Sequence, residues 1–159
     1  MVEAGMTVEF PTAEETIEFG RSLGRMLRAG DLVLLAGPLG AGKTTLTRGI
    51  ADGIGVSGRV SSPTFVLARV HPAGESGVGL VHVDAYRLGG DLSQLDDLDL
   101  DADLERSAIV VEWGEGTAER LSEDYLVVRL DRREDDVRVV TLEPHGTWSA
   151  RLPTLRLAG

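Results

Sequence analysis

Eight consecutive residues, Gly37-Pro38-Leu39-Gly40-Ala41-Gly42-Lys43-Thr44, constrain this chain more than any other stretch. They match the phosphate-cradling pattern G-x-x-x-x-G-K-[ST]. A backbone loop wraps a polyphosphate only when its N–H groups turn inward and no Cβ blocks the approach. Glycine satisfies both conditions, because it reaches positive φ at little steric cost. In such a loop Lys43 sets its ammonium against the β- and γ-phosphates, and the Thr44 hydroxyl suits Mg²⁺. The helix that follows adds its unpaired N–H groups and the positive end of its dipole.

The pattern carries weight only when a strand precedes it and a helix follows. Residues 31–36, Asp-Leu-Val-Leu-Leu-Ala, form the short apolar run that a buried parallel strand needs. Residues 45–51 read as a helix with Leu46, Ile50 and the small Gly49 on one face, ended by Gly53 and Gly55. Lys43 is the only lysine among 16 cationic residues, the other 15 being arginine. The chain therefore uses arginine wherever a generic positive charge suffices.

A length of 159 residues fits one domain, residues 1–159, long enough to bury a sizeable core. The absence of cysteine excludes disulfides, thiolate metal sites and a cysteine nucleophile, and fits a reducing cytoplasm. The first ten residues lack the basic-then-apolar pattern of a signal peptide, and no apolar stretch approaches a membrane span. A net charge of −10 argues against direct nucleic-acid binding, since phosphate affinity comes mainly from Lys and Arg. Nucleic acid, if it matters here, is held by a partner.

Upstream of the loop, Thr12 with Glu15 three residues later is a capping-box signature. Ile17, Phe19, Leu23, Met26 and Leu27 continue as a helical apolar stripe toward Gly30. A core-packing helix is the preferred reading; a place for Thr12 near a nucleotide base is the alternative. Downstream, Ser61-Ser62-Pro63-Thr64 is either a plain turn or a loop that orders with nucleotide state. Two β-like runs, residues 66–70 and 78–83, flank a loop and suggest a hairpin. The second run ends in Asp84, which reads either as a magnesium-side carboxylate or as a turn former. His82 on that run reads as a packed or half-exposed histidine rather than a ligand. Residues 91–105 alternate acids with leucines and read as a solvated face or as a docking surface for a basic partner; their spacing does not suit a calcium loop. Residues 107–114 form a third apolar strand, carrying Glu112 and Trp113 at its end, followed by a short helix over 115–121. Residues 125–130 and 137–142 read as an antiparallel edge hairpin, and the tail from His145, with Trp148, has no clear pattern. Strand ends carry ligand chemistry in parallel sheets, so two strands ending in acids, Asp84 and Glu112, could both face the phosphate loop.

Taken together, the phosphate loop through Thr45, Ser62-Pro63-Thr64, His82-Val83-Asp84-Ala85-Tyr86-Arg87-Leu88 and Glu112-Trp113 resemble the bacterial TsaE family in order and spacing. The resemblance spans nearly the whole chain. Its specificity lies in the H-x-D-x-Y-R-L and E-W elements, because the phosphate loop is shared by many families. It implies an α/β fold, a single P-loop NTPase-like domain with a mixed, mostly parallel sheet flanked by helices. It also implies a cytoplasmic Mg²⁺-dependent ATPase of the tRNA threonylcarbamoyladenosine pathway. TsaB-like and TsaD-like proteins would be its partners, with tRNA reached only through the complex. Lys43 and the loop at Gly37, Gly40, Ala41, Gly42, Thr44 and Thr45 would bind ATP phosphates. Thr44 and Glu112 would hold Mg²⁺, and Lys43, Asp84 and Glu112 would form the catalytic set. Ser62, Pro63 and Thr64 would be the nucleotide-sensitive loop, and Trp113 would pack near the site. The dense acidic segment and the arginine-rich tail depart from the pattern at the partner surface.

Phosphoryl transfer needs positioning and charge neutralisation more than covalent help. Within the motifs only Arg87 stands as a candidate arginine finger, which implies weak hydrolysis by the chain alone. Three rival functions are distinguishable. A small-molecule P-loop kinase needs an arginine-rich lid, where this chain is acidic. A GTPase needs an [NT]-K-x-D element, yet there is no Asn and the one Lys lies in the loop. An ATP-gated binding module whose hydrolysis is incidental would keep pathway function after Glu112→Ala.

Overall fold

The computed structural model describes residues 6–38, 42–56, 68–74, 76–84, 105–112 and 123–152. Its elements are β1 (Met6–Phe10), α1 (Ala13–Met26), β2 (Leu32–Ala36), α2 (Lys43–Ile54), β3 (Ala68–His71), β4 (Gly79–Asp84), β5 (Ser107–Glu112), β6 (Tyr125–Arg132), β7 (Arg138–His145) and a short α3 (Trp148–Arg151). Seven strands form one sheet in the order β1-β7-β6-β2-β5-β4-β3. The centre, β6-β2-β5-β4, is parallel. Antiparallel pairing completes both sides, through β6-β7-β1 on one and β4-β3 on the other.

The central strands are apolar because both of their faces are covered. On one face Val33, Leu35, Leu80, Ala108, Val110, Leu126, Val128 and Leu130 join Phe19 and Leu23 of α1 and Leu46, Ile50 and Ile54 of α2 in a single core. On the other face Leu32, Leu34, Val81, Val83, Val111 and Val127 are buried as well. β2 therefore sits in the middle of the sheet with all five residues buried, and it delivers the chain straight into the phosphate loop.

α1 starts where its capping box places it. Thr12 Oγ1 accepts a hydrogen bond from the Glu15 N–H at 3.2 Å, and Glu14 and Glu15 complement the positive helix end. The apolar stripe holds in part: Phe19, Leu23 and Leu27 are buried, while Ile17 and Met26 are half-buried. Gly20 and Gly24 share the buried face instead. They meet α2 with almost no side chain between. A Cβ on Gly20 would lie 2.6 Å from the Leu46 carbonyl oxygen and 2.9 Å from Gly49 Cα. A Cβ on Gly49 would overlap the Ile17 carbonyl, and one on Gly53 would lie 2.9 Å from Arg21 C. Two G-x-x-x-G runs thus face each other, backbone against backbone. This corrects one expectation: Gly53 does not end α2 but lies inside it. The helix ends at Gly55, whose N–H reaches back to the Ala51 and Asp52 carbonyls.

Two further elements lie beyond the sequence reading. β1 adds outside the β6–β7 hairpin, in register from Met6↔Leu142 to Phe10↔Arg138, so β1 is the outermost strand on that side. The tail forms α3, which buries Trp148 completely. Arg151 lies 4.1 Å over the Trp148 ring and grips Asp31, at the entry to β2, with two hydrogen bonds of 2.7 and 2.8 Å. The hairpin expected around the 71–77 loop is present as β3 and β4. The expected 115–121 helix and most of the acidic 91–105 segment fall outside the described residues.

Candidate functional site

The site lies where parallel strands end level with one another. Register pairs Leu35 of β2 with Glu112 of β5, and Glu112 with Asp84 of β4. The strand carrying the phosphate loop and the two strands carrying acids therefore finish at the same edge. This is the crevice outside the carboxyl ends of the strands, where open α/β sheets bind ligands.

The loop leaves β2 at Gly37, which has φ +138° and packs so closely on Leu130 that an added Cβ would lie 3.1 Å from the Leu130 carbonyl carbon. It enters α2 at Gly42, with φ +106° and no side-chain cap on the helix N-terminus. Both positions demand glycine, one for close approach and both for their left-handed φ. The first helical bond follows at once, from Leu46 N–H to Gly42 O at 2.9 Å.

Lys43 is the first residue of α2 and only 7% exposed. Its Nζ donates to the carbonyls of Gly37 at 2.6 Å and Pro38 at 3.0 Å. The ammonium is thereby folded back under its own loop, and its stem is buried. Thr47 Oγ1 donates to the Lys43 carbonyl at 2.8 Å, which ties the first turn together. Thr44 and Thr45 are half-buried in that same turn. Leu39, Gly40 and Ala41 lie outside the described residues, as do Ser62, Pro63, Thr64, Arg87 and Trp113.

Glu112 is buried, at 4% exposure, at the last position of β5. Its Oε2 stands 3.2 Å from Nε2 of His82, a histidine with no exposure at all. The contact is at ion-pair distance but lacks hydrogen-bond geometry, and neither ring nitrogen of His82 has a hydrogen-bond partner among the described residues. Glu112 and His82 are thus two buried polar side chains in direct contact at the end of β4 and β5. The sequence placed Glu112 at the site and left His82 as a packed or half-exposed residue. It is packed, and it also touches the acid. Asp84 is placed by its backbone, opposite Glu112.

The donor chemistry fits a magnesium ion. A threonine hydroxyl and a carboxylate are hard oxygen donors, and Mg²⁺ at phosphate sites is commonly held by one or two such groups, with phosphate and water completing the shell.

A strand, a glycine loop and a helix opening on a buried lysine, set in the centre of a parallel sheet, define a P-loop NTPase-like α/β fold. Comparison with known proteins then narrows the class. The family model for "Threonylcarbamoyl adenosine biosynthesis protein TsaE" matches residues 10–140. A Streptomyces coelicolor protein named tRNA threonylcarbamoyladenosine biosynthesis protein TsaE is 58% identical over 146 residues, 89% of this chain and 99% of that one. A Bacillus subtilis protein of the same name is 34% identical over 134 residues, 84% of this chain and 82% of that one. The crystal structure of Bacillus subtilis YdiB superimposes with a TM-score of 0.75 at 28% identity, covering 97% of this chain and 94% of that one. The chain belongs to the TsaE family, whose members are named for tRNA threonylcarbamoyladenosine biosynthesis.

Proposed function

We propose that this chain is a Mg²⁺-dependent ATPase that serves tRNA threonylcarbamoyladenosine synthesis in the cytoplasm, together with TsaB-like and TsaD-like partners. tRNA is reached only through that complex, in keeping with the net charge of −10. Among the described residues no helix is long and apolar enough to cross a membrane. The observation that carries the reading is Lys43, held at 2.6 and 3.0 Å beneath Gly37 and Pro38, at the mouth of α2 and at the sheet edge where Glu112 ends β5.

Each residue then has a role. The loop amides and Lys43 bind the ATP polyphosphate, and binding draws the Lys43 ammonium from the loop carbonyls to the phosphates. Thr44 and Glu112 hold Mg²⁺, which supplies charge neutralisation for phosphoryl transfer when bound. Asp84 positions the attacking water or the magnesium shell. His82, fully buried against Glu112, limits by packing where that carboxylate can point. Positioning of this kind, without a covalent intermediate, predicts weak turnover by the chain alone and stimulation when partners complete the site.

The test is ATP hydrolysis by the purified chain, alone and with TsaB-like and TsaD-like proteins, beside Lys43→Ala. Stimulation by the partners that disappears in Lys43→Ala is the expected result. Phosphate transferred to an added small acceptor, with no stimulation, would assign a kinase instead.

A further inference from the structure

The turn end of the β6–β7 hairpin, residues 132–138, carries three arginines in different surroundings. Arg132 pairs with Asp136. Arg133 pairs with Asp135 at 2.6 Å and with Glu9 of β1 at 2.8 Å. Arg138, the first residue of β7, has no carboxylate partner among the described residues. Its one side-chain hydrogen bond there runs from Nη1 to the Asp136 carbonyl at 3.0 Å. In a chain with 26 acidic residues, several of them on this same hairpin, an arginine passed over by every one of them stands apart.

Its position explains why it matters. Arg138 is half-buried, opposite Phe10 of β1 and Arg132 of β6. From there its stem crosses to the phosphate loop. A Cβ on Gly42 would lie 3.4 Å from Arg138 Nε, 3.7 Å from its Cδ and 3.8 Å from Leu130 Cδ2. The guanidinium side chain therefore rests against the residue just before Lys43, at the uncapped N-terminus of α2. A cation beside a positive helix end is unfavourable by itself. An anion at that point reverses the sign, and a guanidinium fork suits phosphate oxygens.

We propose that Arg138 is a further ligand of the nucleotide polyphosphate, supplied in cis by the β6–β7 hairpin. The proposal rests on the nucleotide-binding reading of the loop and adds a residue that lies outside every motif of the chain. It also gives the hairpin a function. The ion pairs of Arg132 and Arg133 brace the turn, and Arg138 is the arginine presented to the ligand. Gly42 is required for the left-handed turn, and the Arg138 stem lies at ordinary contact distance from it.

The test is calorimetric titration of the full chain with ATP and, separately, with inorganic triphosphate. The wild type is compared with Arg138→Gln, Arg138→Lys and, as hairpin control, Arg132→Gln, with thermal melts of each. Arg138→Gln is expected to weaken both ligands by about tenfold to a hundredfold, the range of a lost charge-assisted contact. Arg138→Lys, which keeps charge without the fork, should fall in between, and Arg132→Gln should bind as wild type. Arg138→Gln and Arg138→Lys binding both ligands like the wild type would overturn the proposal while leaving the nucleotide reading intact. A loss for ATP but not for triphosphate would overturn the phosphate assignment. A wild type that binds neither ligand would overturn the nucleotide reading itself.

Discussion

The seam between α1 and α2 and the phosphate loop are both built on glycine, for opposite reasons. Along the seam, Gly20, Gly24, Gly49 and Gly53 sit inside helices with ordinary backbone angles, and what they lack is space. In the loop, Gly37 and Gly42 have φ of +138° and +106°, and what they need is backbone freedom. The seam holds α2 against the core, and in the proposed function the loop uses the fixed end of α2 to meet phosphate. One region determines whether the helix is in place; the other determines what its N-terminus can bind. Substitutions in the two regions should therefore separate stability from affinity.

The largest separation is expected at Lys43. Lys43→Ala should lower ATP affinity at least about a hundredfold, roughly 2.7 kcal/mol, with little change in the melting temperature. Titration and a thermal melt on the same sample check both halves. A large melting shift would mean that the Lys43 bonds to Gly37 and Pro38 hold the fold, and the contrast would fail.

Next comes Glu112→Gln, which keeps the shape beside His82 but removes the charge. Partner-stimulated hydrolysis should vanish while ATP affinity changes much less. Full hydrolysis in this variant would remove Glu112 from its assigned role.

On the seam, Gly49→Ala sets two effects against each other. Alanine favours a helix by about 1 kcal/mol over glycine, but its Cβ would overlap the Ile17 carbonyl, which is backbone and cannot turn aside. Overpacking of this kind costs about 1–3 kcal/mol, and more where nothing yields. The clash should win, leaving a net loss near 2 kcal/mol and a melting drop of roughly 4–8 °C. ATP affinity below the transition should equal wild type. A parallel loss of affinity would show that the seam also sets the geometry of the loop.

The smallest effect is expected at the hairpin turn. Hydrogen bonding from Arg133 holds the exposed Asp135 carboxyl below its ordinary range, and Arg133 is raised in turn. A depressed carboxyl contributes stability above its unfolded pKa and loses it as pH falls through the folded value. Wild type should therefore exceed Asp135→Asn slightly in melting temperature at neutral pH, with the difference fading in acid and in high salt. A difference that persists in acid would point to the Val137 N–H bond rather than to charge.

Much of the site was legible before the fold. The strand of residues 31–36 and α2 follow from apolar run and helix pattern, and each is present within a residue or a few. Thr12 caps α1 as its spacing with Glu15 requires. Glu112 and Asp84 were readable as strand-end acids, because an acid that follows a run of apolar residues has to leave the buried sheet at its edge. The contact between His82 and Glu112 was not readable, since it depends on β4 and β5 being parallel neighbours in one register.

What this sequence determines by itself is local: where the chain must turn with positive φ, where a helix is capped, and which runs are apolar enough to lie inside a sheet. Those features depend on neighbours a few residues away, so the order of residues contains them. Tertiary structure decided the rest. β1 exists because β7 offers it an edge, Gly53 belongs to α2 because Arg21 lies against it, and Trp148 is core because Arg151 reaches Asp31 across 120 residues. Arg138 is the same kind of residue as Arg132 on paper. Only the return of β7 beside Leu130 and Gly42 sets it against the phosphate loop, because distance in space, and not along the chain, fixes which charges meet.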